Sequence, residues 1–317
     1  MEDFFKHIYS NGTLLIMWGA VLFNFILPIP KNAHPIALWH KFAELLAEKV
    51  NNNTNHSQSL ISGTLAWALM CLPALAVLIA LQPLVWESHL FELALLILAL
   101  DWRNNDKLAH QLISALAKND KETAKATLQP FVNRDTATLS QLGLGKASTE
   151  TLIMGYGRNV IGVLFWYAFL GGIGAFFYRL VAELARAWSP SRQEFVPFGS
   201  PAIAVLATLD FIPLRIFAAL ISIGSRFIKT WQLIRMQSAS WPLPGPGWLL
   251  IAVGGKLELS LGGPAMYNKR KSVRAKVGGR IAPAAIHLSQ VQKLLAWRSL
   301  AWVVLQSITL GIIYQGI

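Results

Sequence analysis

Residues 61–86 read ISGTLAWALMCLPALAVLIALQPLVW, twenty-six residues without a charged side chain. An α-helix rises about 1.5 Å per residue, so a run of this length covers the roughly 30 Å of hydrocarbon in a bilayer. Residues 296–316 form a second such run, with Arg298 near one end as its only charge. Further apolar stretches occur at 159–178 and 202–224. The shorter run 89–101 is expected to be re-entrant or packed on other helices. The run 247–263 holds Gly254, Gly255, Lys256 and Glu258, which suits the wall of a cavity better than a lipid face. Thr13 to Leu27 is expected to be a retained span or hairpin arm. Glu2 and Asp3 precede it, and Pro28 and Pro30 follow it in place of a small-residue cleavage site.

The fold expected is therefore an all-α polytopic membrane protein. It has about four to six membrane-embedded helices, amphipathic cytoplasmic helices and a single domain over residues 1–317. Composition agrees. Of 317 residues 54% are apolar and 14% charged, where a soluble chain carries about 25% charge. The mean hydropathy is +0.45. A single cysteine, Cys71, excludes an intrachain disulfide and a multi-cysteine metal site.

The net charge of +12 is concentrated late in the chain. From Arg226 to the end there are twelve cations and one acid, Glu258, which leaves one unit of the excess for everything before. Basic loops stay on the cytoplasmic side, so a basic loop at about 264–293 is expected there, in a bacterial inner membrane. Its core, Leu261 to Arg280, reads LGGPAMYNKRKSVRAKVGGR. A glycine turn lets backbone N–H groups approach a ligand, and clustered Lys and Arg neutralise phosphate. No stacking aromatics alternate with the cations, so the expected partners are the lipid bilayer and anionic small molecules, not nucleic acid.

A polar helical insertion is expected at about 102–158. Leu108, Leu112, Ile113, Leu116 and Ala117 recur at helical spacing. A short helix follows at 120–128, with Asn119 as its candidate cap. Arg134-Asp135-Thr136 reads as a helix entrance with Arg134 paired locally, and Glu150 as a first-turn acid. Asp210, Pro213 and Arg215 lie inside an apolar run, where ionisable groups are functional candidates; the structural alternative pairs Asp210 with Arg215 or freed backbone. His34-Pro35 marks a chain turn, with His34 either a surface turn residue or an acid or base. Gly171-Gly172 suits close helix packing, and Tyr178-Arg179 an interface anchor. No HExxH, Walker A, GxSxG or CxxC motif is present, and the other histidines lack metal spacing.

These fragments follow one another in a particular order: His34-Pro35, Arg134-Asp135-Thr136, Glu150-Thr151-Leu152, Leu164-Phe165-Trp166, Tyr178-Arg179, Asp210-x-x-Pro213-x-Arg215 and Leu261-Gly262-Gly263-Pro264 with Tyr267. That order resembles the cobinamide-phosphate synthase family, the CobD/CbiB membrane proteins of cobalamin biosynthesis, from about residue 20 to the end. The resemblance implies a ligase that joins an amino-alcohol phosphate to the corrinoid adenosylcobyric acid with ATP and Mg²⁺. It implies catalytic roles for His34, Asp135, Glu150 and Asp210. It also implies substrate or phosphate contacts from Arg134, Arg179, Arg215, Gly262, Gly263, Tyr267, Lys269, Arg270 and Arg274.

The chain also departs from the family pattern. Met154, Gly155 and Arg158 stand where the family carries a Glu-Asn pair and a later Asp. Ala182 and Ala185 replace an Asn and an Asp. Residues 203–207 replace an Ala-Arg-x-Asp-Asp. A His-x-Ser-Pro-Asn has become residues 241–245, and its downstream Glu is Leu250. The Gly-Asp-Pro ahead of the His-Pro is missing. A second class stays open: a non-catalytic, AmpE-like inner-membrane regulator on the same scaffold, similar around Leu209 to Arg215. A transporter has little support from one Asp–Arg pair without a repeat.

Overall fold

The computed structural model describes residues 12–26, 34–51, 55–267 and 270–315. Lys269 and the Pro28/Pro30 break lie outside the described residues.

Helix α1 (Thr13–Ile26) is apolar but has only 14 residues. At about 1.5 Å per residue it is too short to cross the hydrocarbon alone. It buries Met17 and Ala20 against α4 (Ser88–Ala99). Between them lie α2 (Pro35–Val50) and α3 (His56–Leu81). Pro35 sits in the first turn of α2, where its missing N–H costs nothing. The Nδ1 of His34 accepts from the Ile36 N–H at 3.3 Å and caps that helix. Helix α3 presents Leu65, Leu69 and Leu72 outward, each more than half exposed. Its Gly63 is required by contact: a Cβ there would lie 1.9 Å from the Phe198 carbonyl oxygen.

Helices α5 (Trp102–Ala117) and α6 (Lys121–Leu128) form the expected amphipathic pair. They bury Leu108, Leu112, Leu116 and Leu128 in a second apolar cluster with Leu144, Leu152 and Leu288. The α6 cap is Asp120, whose side chain accepts from the Thr123 N–H, and not Asn119. Asn119 takes a left-handed φ of 56° as the chain reverses.

The expected boundary near residue 158 does not interrupt the chain. Helix α7 (Gln141–Tyr156) continues through a six-residue π segment, Gly157–Gly162, into α8 (Val163–Ala187). Together they make one 47-residue rod. A π turn is wider than an α turn and is often found at functional sites. The rod kinks once more at Gly171, whose φ of 62° only glycine adopts freely. Beside it Gly172 lies against the α4 backbone, where a Cβ would meet the Glu92 carbonyl oxygen at 2.7 Å. The close packing expected of these glycines is therefore observed, and the run at 89–101 is the packed helix α4.

Helix α9 (Ser200–Ser222) carries Pro213 and is followed by α10 (Phe227–Gln237) and α11 (Pro244–Leu257). Helix α11 is buried on nearly every side, with Leu249, Ile251, Ala252 and Val253 inaccessible. It does not face lipid, as its glycines and charges indicate. The Lys256 ammonium caps the end of α9 by donating to the Ile223 and Ser225 carbonyls at 2.8 and 2.6 Å.

The basic loop contains structure that hydrophobic periodicity does not reveal. Strands β1 (Ser260–Gly262) and β4 (Lys276–Gly278) pair antiparallel, and β2 (Ala265–Tyr267) pairs with β3 (Arg270–Ser272). The result is a nested hairpin, with Gly262 and Gly263 at φ 70° and 90°. Helix α12 (Ala285–Gln315) closes the fold.

Among the described residues four helical segments are long and apolar enough to cross a membrane: His56–Leu84, Gln141–Ala187, Ser200–Ser222 and Ala285–Ile312. The chain is thus an all-α polytopic membrane protein, at the lower end of the expected range of spans.

Candidate functional site

A cavity of about 280 Å³ opens beside the α7–α8 rod. Its polar wall carries Asn105, Asn133, Arg134, Glu150, Arg158 and Glu183, with Arg186 at its edge. The rod supplies most of these because the π segment lies at the level of the cavity.

Glu150 is the node of the site. It is 6% exposed and is the tenth residue of α7, not a first-turn acid. Arg134 donates to its Oε2 at 2.6 Å, Arg274 to the same oxygen at 3.1 Å, and the Gly262 N–H to Oε1 at 2.8 Å. The partner of Arg134 is therefore sixteen residues away, not local. A buried carboxylate needs such donors, because desolvation otherwise costs several kcal/mol. Through them Glu150 joins the Arg134 connection and the hairpin to the rod. Arg274 is further held by the Gly263 carbonyl at 3.2 Å and lies over the Trp241 ring at 5.5 Å. The Asp135 N–H donates to the Met266 carbonyl at 3.2 Å, which brings Asp135 close to Tyr267. Arg270 pairs in register with Tyr267 across the inner hairpin. Asp135 itself accepts from the Ala137 N–H at 2.9 Å, and among the described residues it has no ion pair.

Asp210 forms a separate node. It is inaccessible to solvent, and both oxygens are used. Arg158 Nε donates to Oδ2 at 2.8 Å, and the Tyr178 hydroxyl donates to Oδ1 at 2.7 Å. The expected pairing with Arg215 does not form. Arg215 instead lies over the Phe211 ring at 3.8 Å and the Trp248 ring at 4.7 Å. Nor are Tyr178 and Arg179 interface anchors, since both are buried. Tyr178 faces Asp210, and Arg179 pairs with Glu183 at 2.8 Å and Asp101 at 3.6 Å. Glu183 also meets His40 at 3.0 Å. His34, half-buried near this cluster, is held below its ordinary pKa by burial and then by the charge of Arg179.

The structure thus gathers Arg134, Asp135, Glu150, Gly262, Gly263, Tyr267 and Arg274 in one place. Asp210 with Arg158, and Arg179 with His34, sit in adjoining clusters. Residue spacing missed Glu183, Arg186, Asn105 and Lys146, whose Nζ reaches Ser260 Oγ at 3.4 Å. Arg179 and Glu183 at i,i+4 within an apolar run were the available signal, since charges at membrane depth are seldom idle. The departures from the family pattern converge here as well. Met154, Gly155, Arg158, Ala182, Ala185, Ile203 and Leu206 all line the cavity.

The donor set does not fit a protein-held Mg²⁺. Magnesium requires oxygen ligands in near-octahedral array. Both oxygens of Glu150 and of Glu183 already serve cations, a histidine or a backbone N–H. Among the described residues no group of three His, Cys, Asp or Glu could hold a metal.

Fold and site together define a polytopic helical membrane protein with an arginine-rich polar cavity beside a kinked rod. Known proteins share its pattern: the profile of the CobD/Cbib protein family matches residues 17–296. The chain belongs to that family. A cobalamin biosynthesis protein CobD of Stutzerimonas stutzeri is 30% identical over 87% of this chain and 91% of its own length. One of Chromobacterium violaceum is 30% identical over 67% of this chain and 64% of its own, and one of Leptospira interrogans 25% over 82% and 87%. No solved structure matches. Nothing in these comparisons supports the AmpE-like alternative.

Proposed function

We propose that the chain works in cobalamin biosynthesis as a ligase of the adenosylcobinamide-phosphate synthase type. It joins a phosphorylated amino alcohol to the carboxylate of adenosylcobyric acid, with ATP as the energy source. The observation that supports this most is the Glu150 node. Three motifs that resemble the family, spread along the chain from Arg134 to Gly262, meet there within hydrogen-bond distance.

Amide formation needs the attacking ammonium to lose a proton and the phosphates to meet positive charge. Asp135 is the carboxylate of the node without an ion pair among the described residues, and it accepts the proton. Arg134 and Arg274 are oriented by Glu150 and, with Gly262, Gly263 and Tyr267, form the anionic-substrate side; the family resemblance adds Lys269 and Arg270 to this set. Glu150 and Asp210 position these groups and transfer no proton, because each of their oxygens is occupied. His34 and Arg179 form the adjoining wall, and Arg215 steadies α9 against Trp248. The residues present do not supply a magnesium site, and no step is assigned to the metal.

The excess of cations in the hairpin supports a cytoplasmic position for it, at a bacterial inner membrane where nucleotide is available. Complementation tests the function. A strain that lacks its own family member and depends on cobalamin should grow when given adenosylcobyric acid and this gene. Growth with cobinamide but not with adenosylcobyric acid, while the protein accumulates, would overturn the proposal.

A further inference from the structure

Residues 223–229, the turn from α9 into α10, read IGSRFIK and are exposed in an unbroken run. Three large apolar side chains alternate there with Arg226 and Lys229. The mixture continues along α10. Its inner face buries Thr230 and Ile234, and its outer face carries Ile228, Gln232, Arg235 and Met236. Ile228 and Met236 are each 71% exposed, and Trp297, beside Arg298 on α12, is 72% exposed. Water does not favour such a face, because leaving an Ile or Met side chain exposed forgoes about 1.5–3 kcal/mol. Hydrocarbon does not favour it either, because Lys229, Gln232 and Arg235 would lose their hydration. The boundary between lipid headgroups and acyl chains accommodates both.

The surface is built in advance of any contact. Arg298 donates to the Ile223 carbonyl at 2.6 Å, and Lys256 donates to the same carbonyl and to that of Ser225, which fixes the turn. A Cβ at Gly224 would stand 3.6 Å from Lys256 Nζ and 3.8 Å from Arg298 Nη2, so both charges border it. Glu258 meets Arg226 at 2.6 Å and Lys229 at 2.8 Å, which holds these two side by side and cancels one charge. At the far end of α10 the Gln237 side chain accepts from the Gly278 N–H at 2.7 Å and donates to the Gly278 carbonyl at 3.3 Å. Helix α10 is therefore anchored at both ends.

Arg226, Lys229, Arg235, Lys256 and Arg298 share this surface with Glu258, the only acid from residue 226 to the end of the chain. We propose that the α9–α10 turn and the outer face of α10 form a docking surface for anionic phospholipid. The headgroup phosphate meets the cations around Gly224, and the acyl chains lie against Ile223, Phe227 and Ile228. A zwitterionic lipid cancels its own phosphate charge and gains little from the excess of cations. Glu258 stands two residues before β1, so the surface lies on the hairpin's side of the membrane. It is separate from the cavity, and its lipid preference does not depend on the reaction carried out there.

Titration of the detergent-solubilised full-length protein with short-chain phosphatidylglycerol, followed by microscale thermophoresis, tests the surface. Phosphatidylglycerol should bind more tightly than phosphatidylcholine of the same chain length, and the difference should shrink in about 0.5 M salt. Lys229→Gln and Arg235→Gln should each weaken phosphatidylglycerol binding by up to about fivefold, the factor for one cation at a membrane surface. Neither should change phosphatidylcholine binding, and Lys229→Arg should keep the preference. Lys118→Gln and Lys121→Gln, at exposed positions around the α5–α6 turn, should leave it unchanged. Equal binding of the two lipids would overturn the inference. So would a preference that survives both Lys229→Gln and Arg235→Gln, or displacement of the lipid by an equal concentration of inorganic phosphate, which would mark a site for a soluble anion.

Discussion

Asp210 and Glu150 are both buried carboxylates that accept from arginine, yet their surroundings differ. The partners of Asp210 lie on the long rod itself, Arg158 in the π segment and Tyr178 on α8. The partners of Glu150 lie on irregular chain: Arg134 before α7, Gly262 in β1, and Arg274 between β3 and β4. Asp210 therefore binds helix to helix within the spanning region, where an unpaired charge has no water to turn to. Glu150 holds loops against a helix and sets the shape of a site. Similar ion-pair chemistry acts as a clamp in one place and as a positioning device in the other.

The sharpest way to break this contrast is to remove the first carboxylate. Asp210→Asn leaves the partly buried Arg158 guanidinium without its counter-charge, and such losses cost up to about 3–5 kcal/mol. Melting temperature and membrane accumulation should both fall steeply. The double change Asp210→Leu with Arg158→Met should recover much of the loss, because apolar replacement of a whole buried pair is often tolerated.

Glu150→Gln should cost a comparable amount, about 3–5 kcal/mol, because it leaves the buried Arg134 guanidinium without its counter-charge. Its signature should be local. Trypsin should cleave faster within residues 261–280, and complementation should be lost while the spans stay folded. If Asp210→Asn loosens the hairpin as much as Glu150→Gln does, the two nodes are not distinct.

A smaller effect concerns pH at the His34 cap. Burial and the Arg179 charge hold its pKa below the ordinary 6.5, so the unfolded chain binds the proton more readily. The stability linked to His34 is therefore complete above pH 6.5 and is lost as pH falls towards the lowered folded value. Protonation also removes the Nδ1 acceptor for the Ile36 N–H. Melting curves between pH 7.5 and about 5 should show a fall that His34→Asn flattens, since Asn caps without titrating in this range. An unchanged slope in the variant would assign the pH dependence elsewhere.

The smallest stability effect belongs to Asp135→Asn, within about 0.5 kcal/mol, because its side chain accepts from the Ala137 N–H, as an amide oxygen also can, and has no ion pair among the described residues. Complementation should nonetheless be abolished. Full complementation by this variant would remove Asp135 from proton transfer.

The spans at 61–86, 202–224 and 296–316 were legible in the sequence because lipid-facing helices need long uncharged runs. The motif order also marked Arg134, Glu150 and Gly262 as belonging to one site. Partner choice was not legible. Asp210 has Arg215 five residues away, yet it pairs with Arg158, fifty-two residues away, because the π segment turns that side chain towards α9. The rod's passage through residue 158 was hidden because its charged and glycine residues read as a boundary. The hairpin was hidden because strands of three residues leave no alternation to detect.

The most direct measurement of the central claim uses purified protein with ATP, Mg²⁺, adenosylcobyric acid and aminopropanol phosphate, followed by chromatography of the corrinoids. Adenosylcobinamide phosphate should accumulate with time and should not form with Asp135→Asn. No corrinoid product, beside an active family member assayed in parallel, would contradict the ligase assignment.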